Sequence, residues 1–295
     1  MIWRRKTSSA EEESLKLSDK LHSDWTIGQL FYSSSSDERG NATVYSFENK
    51  VVWVTGSSTG IGRAAALAFA EHGADTIIHC NSSVDEARKL EEEIQSRGRK
   101  CLLVQGDVAN RLQVEAMVAR IDETFGRLDV LINNAGALIQ RARLEDLDED
   151  LWDRIINVNL KSVYLVTKAA LPLLKRSAKG RVINVTSVAA RNGGGFGSIA
   201  YGAAKGGVST MTRGLAKDFI EYNITVNAIA PGVITTPFHD RFTPPDIRAK
   251  TLSGIPMGRE GTPEETVGAA LFLASPYSDY ITGEIIEVNG GQLMD

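Results

Sequence analysis

Cysteine is scarce in this chain of 295 residues: Cys80 and Cys101 are the only two, and no CxxC pair occurs. That excludes a disulfide scaffold and points to a reduced, cytoplasmic setting. The four histidines, His22, His72, His79 and His239, are scattered without ligand spacing, so no metal site is expected. No uninterrupted apolar stretch approaches the ~20 residues that a membrane-spanning helix requires. Neither sign of charge is in large excess: 33 Lys and Arg against 37 Asp and Glu leave a net −4. This argues against nucleic acid or an anionic membrane as the main partner. What is present, 42% hydrophobic and 24% charged residues, suits a folded chain with an ample core.

Residues 1–46 read differently from the rest. Met1-Ile2-Trp3-Arg4-Arg5-Lys6 is basic, but Ala10-Glu11-Glu12-Glu13 stands where a signal peptide would carry its apolar region. Ser33-Ser34-Ser35-Ser36-Asp37-Glu38-Arg39-Gly40 has linker composition. The expectation is an N-terminal arm, disordered or loosely docked; the competing reading is a true start near Val44. From Lys50 short apolar runs alternate with longer helical patterns, which predicts βαβ units and a parallel sheet. Strands are expected at Val51–Thr55, Thr76–Cys80, Cys101–Gln105, Val130–Asn133, Arg181–Thr186, Thr225–Ala230 and Ile285–Val288. Helices are expected near 61–72, 85–97, 111–125, 149–176, 201–221 and 263–274. The fold class is therefore α/β, a doubly wound parallel sheet of about seven strands with helices on both faces. Residues 47–295 show no composition break and are expected to form a single domain.

The first strand runs into Thr55-Gly56-Ser57-Ser58-Thr59-Gly60-Ile61-Gly62 and then a helix. Glycines allow close backbone approach, and a helix N-terminus offers free N–H groups and positive dipole to a pyrophosphate, so this turn signals dinucleotide binding. NAD sites usually place an acid after the second strand to bond the ribose 2′-hydroxyl. Here His79-Cys80-Asn81-Ser82-Ser83 ends that strand, with no acid until Asp85. Asn81, Ser82 and Ser83 thus offer neutral donors to a 2′-phosphate, and the preference leans to NADP, with NAD as the alternative. His79 and Cys80 read as strand filling. Asp107-Val108 either meets the adenine or caps the next helix; Asn133-Asn134-Ala135-Gly136 either lines the cofactor or stabilises a turn. Ser187, at the end of the fifth strand, either orients a substrate oxygen or is a satisfied strand-end hydroxyl. Asn159 is unfavourable inside a helix, and the apolar residues around it predict a buried, bonded amide.

Tyr201-Gly202-Ala203-Ala204-Lys205 places a phenol and an ammonium one helical turn apart. A charge ~4 Å from the phenol, at an effective dielectric of ~20, favours the phenolate by roughly 4 kcal/mol. Before desolvation that would bring a phenol that ordinarily titrates near pH ~10 down to about 7.

Together these residues resemble the short-chain dehydrogenase/reductase (SDR) family. Thr55–Gly62 is similar to its TGxxxGxG turn, Asn133–Gly136 to its NNAG and Tyr201–Lys205 to its YxxxK. Pro231-Gly232-Val233-Ile234 is similar to the segment flanking the nicotinamide, and Val288-Asn289-Gly290-Gly291 to the usual end of the last strand. The resemblance runs from about Phe47 to Asp295 and implies roles. Tyr201 would be the acid or base, and Lys205 would lower its pKa and hold the nicotinamide ribose. Ser187 would hold the substrate oxygen, and Asn159 would anchor a water relaying protons to Lys205. Thr55, Gly56, Ser58, Gly60, Ile61, Gly62, Asn81, Ser82, Asp107, Val108, Asn134, Ala135, Gly136, Pro231, Gly232 and Ile234 would contact the cofactor. Arginines that NADP-preferring members often carry are absent, Thr59 standing at one such place. A homotetramer is also implied.

Phe238-His239-Asp240-Arg241-Phe242-Thr243-Pro244-Pro245 through Met257-Gly258-Arg259 is expected to cover the site as a lid, with Gly193-Gly194-Gly195-Phe196-Gly197 at its rim. By resemblance the substrate is a small molecule or acyl thioester, with reduction of a 3-oxoacyl thioester ahead of sugar or polyol oxidation. Arg141 and Arg143 either meet an acidic carrier or are solvated charges. A non-catalytic dinucleotide-binding protein would be betrayed by loss of the Tyr or the Lys; both are present.

Overall fold

A computed structural model describes residues 45–243 and 245–294. Most of the expected N-terminal arm, residues 1–44, lies outside the described residues, as do Pro244 of the expected lid and Asp295. Seven parallel strands form one sheet in the order β3-β2-β1-β4-β5-β6-β7: β1 Val51–Val54, β2 Asp75–Cys80, β3 Cys101–Gln105, β4 Val130–Asn133, β5 Gly180–Val185, β6 Ile224–Pro231 and β7 Ile285–Val288. All four residues of β1 and all eight of β6 are buried, as required of strands covered on both faces. Trp53 of β1 pairs with Ile77 on one side and Leu131 on the other, and all three are fully enclosed.

Helices α1 (Gly60–Glu71), α2 (Val84–Ser96) and α10 (Pro263–Ala274) cover one face. On the other lie α3 (Arg111–Phe125), α4 (Glu149–Ile156), α5 (Ser162–Leu174) and α7 (Ile199–Asp218). Local chemistry sets several of their ends. Asn110 caps α3 by accepting from Leu112 and Gln113, Asp148 caps α4, and Thr262 with Glu265 forms a capping box on α10. The order of strands reverses between β1 and β4, so the crevice at their carboxyl ends is where a ligand of such a sheet binds.

Two features depart from the periodicity. The helix expected over 149–176 is wound wider at Asn157–Lys161, a π segment between α4 and α5. The expected lid contains two short helices, α8 (Pro237–Phe242) and α9 (Pro245–Leu252), and α6 (Ala189–Asn192) follows Ser187. Among the described residues no helix is long and apolar enough to cross a membrane.

One buried carboxylate secures the strand starts opposite the crevice. Asp129, 4% exposed, accepts from Val51 N at 2.9 Å, Ser177 Oγ at 2.6 Å and Arg127 Nε at 3.2 Å. Its carbonyl also accepts from Arg181 N at 2.9 Å. Removing the carboxylate leaves buried donors unpaired, so Asp129→Ala should cost about 3 kcal/mol. The check is the urea midpoint; a midpoint within error of the parent's would refute the role.

Candidate active site

Five segments converge on the crevice. Thr55, leaving β1, uses one hydroxyl to join β1 to β4: it donates to Ile132 O at 3.3 Å and accepts from the amides of Asn134 and Ala135, each at 3.0 Å. The Asn134 side chain returns the link, donating to the carbonyls of Thr55 and Gly56 at 2.9 Å each. The loops approach so closely that a Cβ on Gly56 would sit 2.8 Å from Ala135 Cα, and one on Gly62 would sit 2.4 Å from Gly56 O. Only glycine fits either place. α1 then begins with no acidic residue in its first turn and no side-chain cap. Its amides therefore stay available to an anion, and the cradle fits a dinucleotide pyrophosphate.

Asn159 lies in the π segment and is fully buried. Its amide pairs with the backbone of Ala137 in both directions, Oδ1 accepting at 3.1 Å and Nδ2 donating at 2.7 Å, and Nδ2 also donates to Ile155 O at 2.9 Å. Both of its N–H groups are thereby used, and the 133–137 turn is tied to the helix. Gly136 fits between: a Cβ there would meet Asn159 Oδ1 at 2.6 Å and Lys205 Nζ at 3.5 Å.

Lys205 and Tyr201 lie one turn apart on α7. Gly202 lets this helix lie against α6, since a Cβ there would come within 2.8 Å of Gly193 O. The close approach brings Tyr201 into hydrogen bonding with Ser187, which follows β5. Lys205 is 4% exposed; its Nζ donates to Val185 O at 2.7 Å and stands 5.7 Å from the Tyr201 ring centre.

The electrostatic expectation for this pair is overturned. Burial pushes Tyr201 up to about 12, with the Ser187 bond acting weakly the other way. Burial also pushes Lys205 down to about 8. The ammonium is hydrogen-bonded to the Val185 carbonyl, and for both groups desolvation is the larger effect.

Other expected contacts sort by position. Ser58, Gly60 and Ile61 lie on the glycine-rich turn, and Gly60 faces Thr236 across the crevice, a Cβ there meeting Thr236 Cγ2 at 3.2 Å. Asn81 and Ser82 are exposed at the end of β2, and the Asn81 carbonyl accepts from Gln105. Asp107 Oδ1 accepts from Ala109 N at 2.8 Å; the helix cap itself is Asn110. The Val108 side chain belongs to the core, so only its main chain can face a ligand. Pro231 O accepts from Val188 N at 3.0 Å, next to Ser187, while Gly232 and Ile234 follow towards the lid.

Arg141 is not simply the solvated charge weighed from sequence. Its guanidinium donates to Phe242 O at 2.7 Å and Phe196 O at 2.9 Å, joining lid to rim. Arg143 lies over the Phe196 ring at 6.0 Å. Phe238 of α8 packs on Tyr201 with centroids 5.8 Å apart, and Phe242 packs on Phe238 at 5.2 Å. Among the described residues no group of His, Cys, Asp or Glu side chains is placed to hold a metal.

Comparison with known proteins agrees with this geometry. The family model described as enoyl-(acyl carrier protein) reductase matches residues 56–292. The chain is 41% identical over 244 residues to 3-oxoacyl-(acyl-carrier-protein) reductase FabG of Thermotoga maritima, covering 83% of this chain and 98% of that one. Among solved structures, an NADH-dependent reductase A1-R' responsible for alginate metabolism superposes with a TM-score of 0.78 at 34% identity, covering 84% of this chain and 99% of its own. A putative gluconate dehydrogenase from Agrobacterium tumefaciens superposes with a TM-score of 0.80 at 31% identity, covering 85% and 99%. The chain belongs to the short-chain dehydrogenase/reductase family. It is an oxidoreductase of the NAD(P)-dependent kind acting on small substrates.

The buried cation carries a measurable signature. The folded protein releases the Lys205 proton near pH 8 while the unfolded chain keeps it to its ordinary 10.5. Between these values the unfolded state binds more protons, so this residue's contribution to stability rises with pH. Lys205→Met should therefore stabilise the protein at pH 7 by up to about 3 kcal/mol, less what the lost Val185 bond supplied. The gain should shrink towards pH 10 while activity is lost. Urea unfolding of both proteins from pH 7 to 10 tests this; a stability difference that does not change with pH would sink it.

Proposed function

We propose that this protein reduces the 3-oxo group of an acyl thioester, with NADPH as the preferred donor. The observation carrying the catalytic reading is the Ser187–Tyr201–Lys205 group beside the glycine cradle, with Lys205 buried and the two hydroxyl-bearing side chains partly open to the crevice. A bound nicotinamide would supply the hydride. Ser187 and Tyr201 hold the carbonyl oxygen by hydrogen bonds, and Tyr201 gives its proton to that oxygen as the hydride reaches the carbon. A phenol held near 12 is fully protonated at neutral pH, the form needed to donate, which favours the reductive direction. Lys205, charged below about pH 8, stabilises the phenolate left behind and holds the nicotinamide ribose. Asn159 holds the 133–137 turn against the helix, leaving one lone pair of its oxygen for a proton-relay water.

Identity to the Thermotoga enzyme supports the thioester substrate, and so do Phe238 and Phe242 beside Tyr201. That apolar wall suits an acyl chain and would leave the hydroxyls of a sugar unpaired. Likeness to the gluconate dehydrogenase favours sugar or polyol oxidation as the second reading. Exposed Asn81 and Ser82 support NADP. Asp85 and Glu86 in the first turn of α2, with the NADH dependence of the alginate reductase, favour NAD instead.

Tyr201→Phe should lower kcat about 10²–10⁴-fold with little change in NADPH affinity. Acetoacetyl thioesters should be turned over well above hexoses and polyols in a spectrophotometric panel with both cofactors. Reductive kcat/KM should fall above about pH 8 as Lys205 loses its charge. Preference for a polyol, or for NADH, would overturn the corresponding half of the proposal. We also propose a homotetramer, supported by the half-buried apolar edge strand β7 and exposed Trp152 and Tyr164. A monomer by light scattering at micromolar concentration would exclude it.

A further inference from the structure

One buried titratable side chain is left unused by this chemistry. His79, 2% exposed near the end of β2, spans the two loops that wall the far half of the crevice. Its Nδ1 lies 2.8 Å from the amide nitrogen of Gly56, and its Nε2 lies 2.8 Å from the carbonyl oxygen of Gly106. The partners determine the tautomer. A backbone N–H only donates and a carbonyl only accepts, so Nδ1 is bare and Nε2 carries the proton. The main chain of the same residue grips the glycine-rich turn again. His79 N donates to Ser57 Oγ at 2.8 Å, and His79 O accepts from Ser57 N at 2.9 Å.

Gly56 is the first glycine of the pyrophosphate cradle, and Gly106 precedes Asp107-Val108 at the end of β3. The breadth of one neutral imidazole therefore sets the spacing of these two walls. We infer that His79 is a positioning residue for the dinucleotide, holding the glycine-rich turn at a fixed distance from the end of β3. The inference rests on the NAD(P) reading of the crevice.

The bridge is also sensitive to protons, because an imidazolium would aim an N–H at the Gly56 N–H. The glycine-rich turn packed against the ring carries no titratable side chain, neighbouring Cys80 is an uncharged thiol, and Asp107 supplies the charge that faces it from the β3 end. Burial lowers the His79 pKa from its ordinary 6.5; the Gly106 bond and Asp107 oppose that to a smaller degree.

Three variants separate the contributions. His79→Asn keeps an acceptor for Gly56, His79→Gln can keep a donor for Gly106, and His79→Phe keeps neither. NADPH and NADH are titrated by fluorescence into each protein between pH 5 and 8, alongside urea midpoints and steady-state kinetics. His79→Phe should raise the Kd and KM for cofactor about tenfold or more, with kcat at saturating cofactor changing far less. His79→Asn should recover most of the affinity and lose the acid-side weakening expected of the parent. Should His79→Phe fail to fold, the pH dependence of His79→Asn decides. Parent-like cofactor Kd in folded His79→Phe, or an unchanged acid-side profile in His79→Asn, would overturn the inference. A parent protein that bound neither cofactor would overturn the NAD(P) reading itself.

Discussion

The ammonium of Lys205 sits where almost no water reaches it, and much of the arrangement around it follows from that constraint. A buried cation needs an acceptor, and among the described residues the carbonyl of Val185 at the end of β5 supplies it. To reach it, α7 must lie close to the sheet and to α6, which is possible because Gly202 presents no side chain to the Gly193 carbonyl. The same approach sets Tyr201 beside Ser187. The hydroxyl of Thr186 and that of Ser209 then both donate to the Lys205 carbonyl, at 2.8 and 3.1 Å, securing the turn that carries the charge. An unfavourable burial is thus held in place by surrounding close packing, the usual compromise between stability and a pre-organised site.

The other half of the crevice is joined mainly by neutral groups. Thr55, Asn134 and Asn159 use hydroxyl and amide groups to bind main-chain atoms of neighbouring loops, and the glycines let those loops approach. These three side chains are occupied by backbone, so the loops they join are held before any ligand arrives. The two halves meet at the switch point between β1 and β4, and the parallel sheet keeps them in register.

Much of this was legible along the chain. All-apolar strands such as Val51–Val54, the glycine turn after the first of them, and the spacing of Tyr201 and Lys205 are local patterns, and local patterns survive folding. What escaped is non-local. The π winding at Asn157–Lys161 leaves the apolar period nearly intact, so the sequence reads as one helix. His79 and Gly56 are 23 residues apart, and Arg141 and Phe242 are 101 apart. No periodicity signals such partners. A histidine in an apolar strand looks like filling, and an arginine in a loop looks solvated.

Residue order by itself determined the succession of strands and helices, the places where only glycine serves, and the presence of a phenol one turn from an amine. These depend on backbone sterics and on a hydrophobic period, both carried by neighbours along the chain. Tertiary structure decided the proton affinities, the tautomer of His79 and the partners of Asn159 and Arg141. Solvation and hydrogen bonding depend on what surrounds a group in space, and for these side chains the surroundings come from distant parts of the chain.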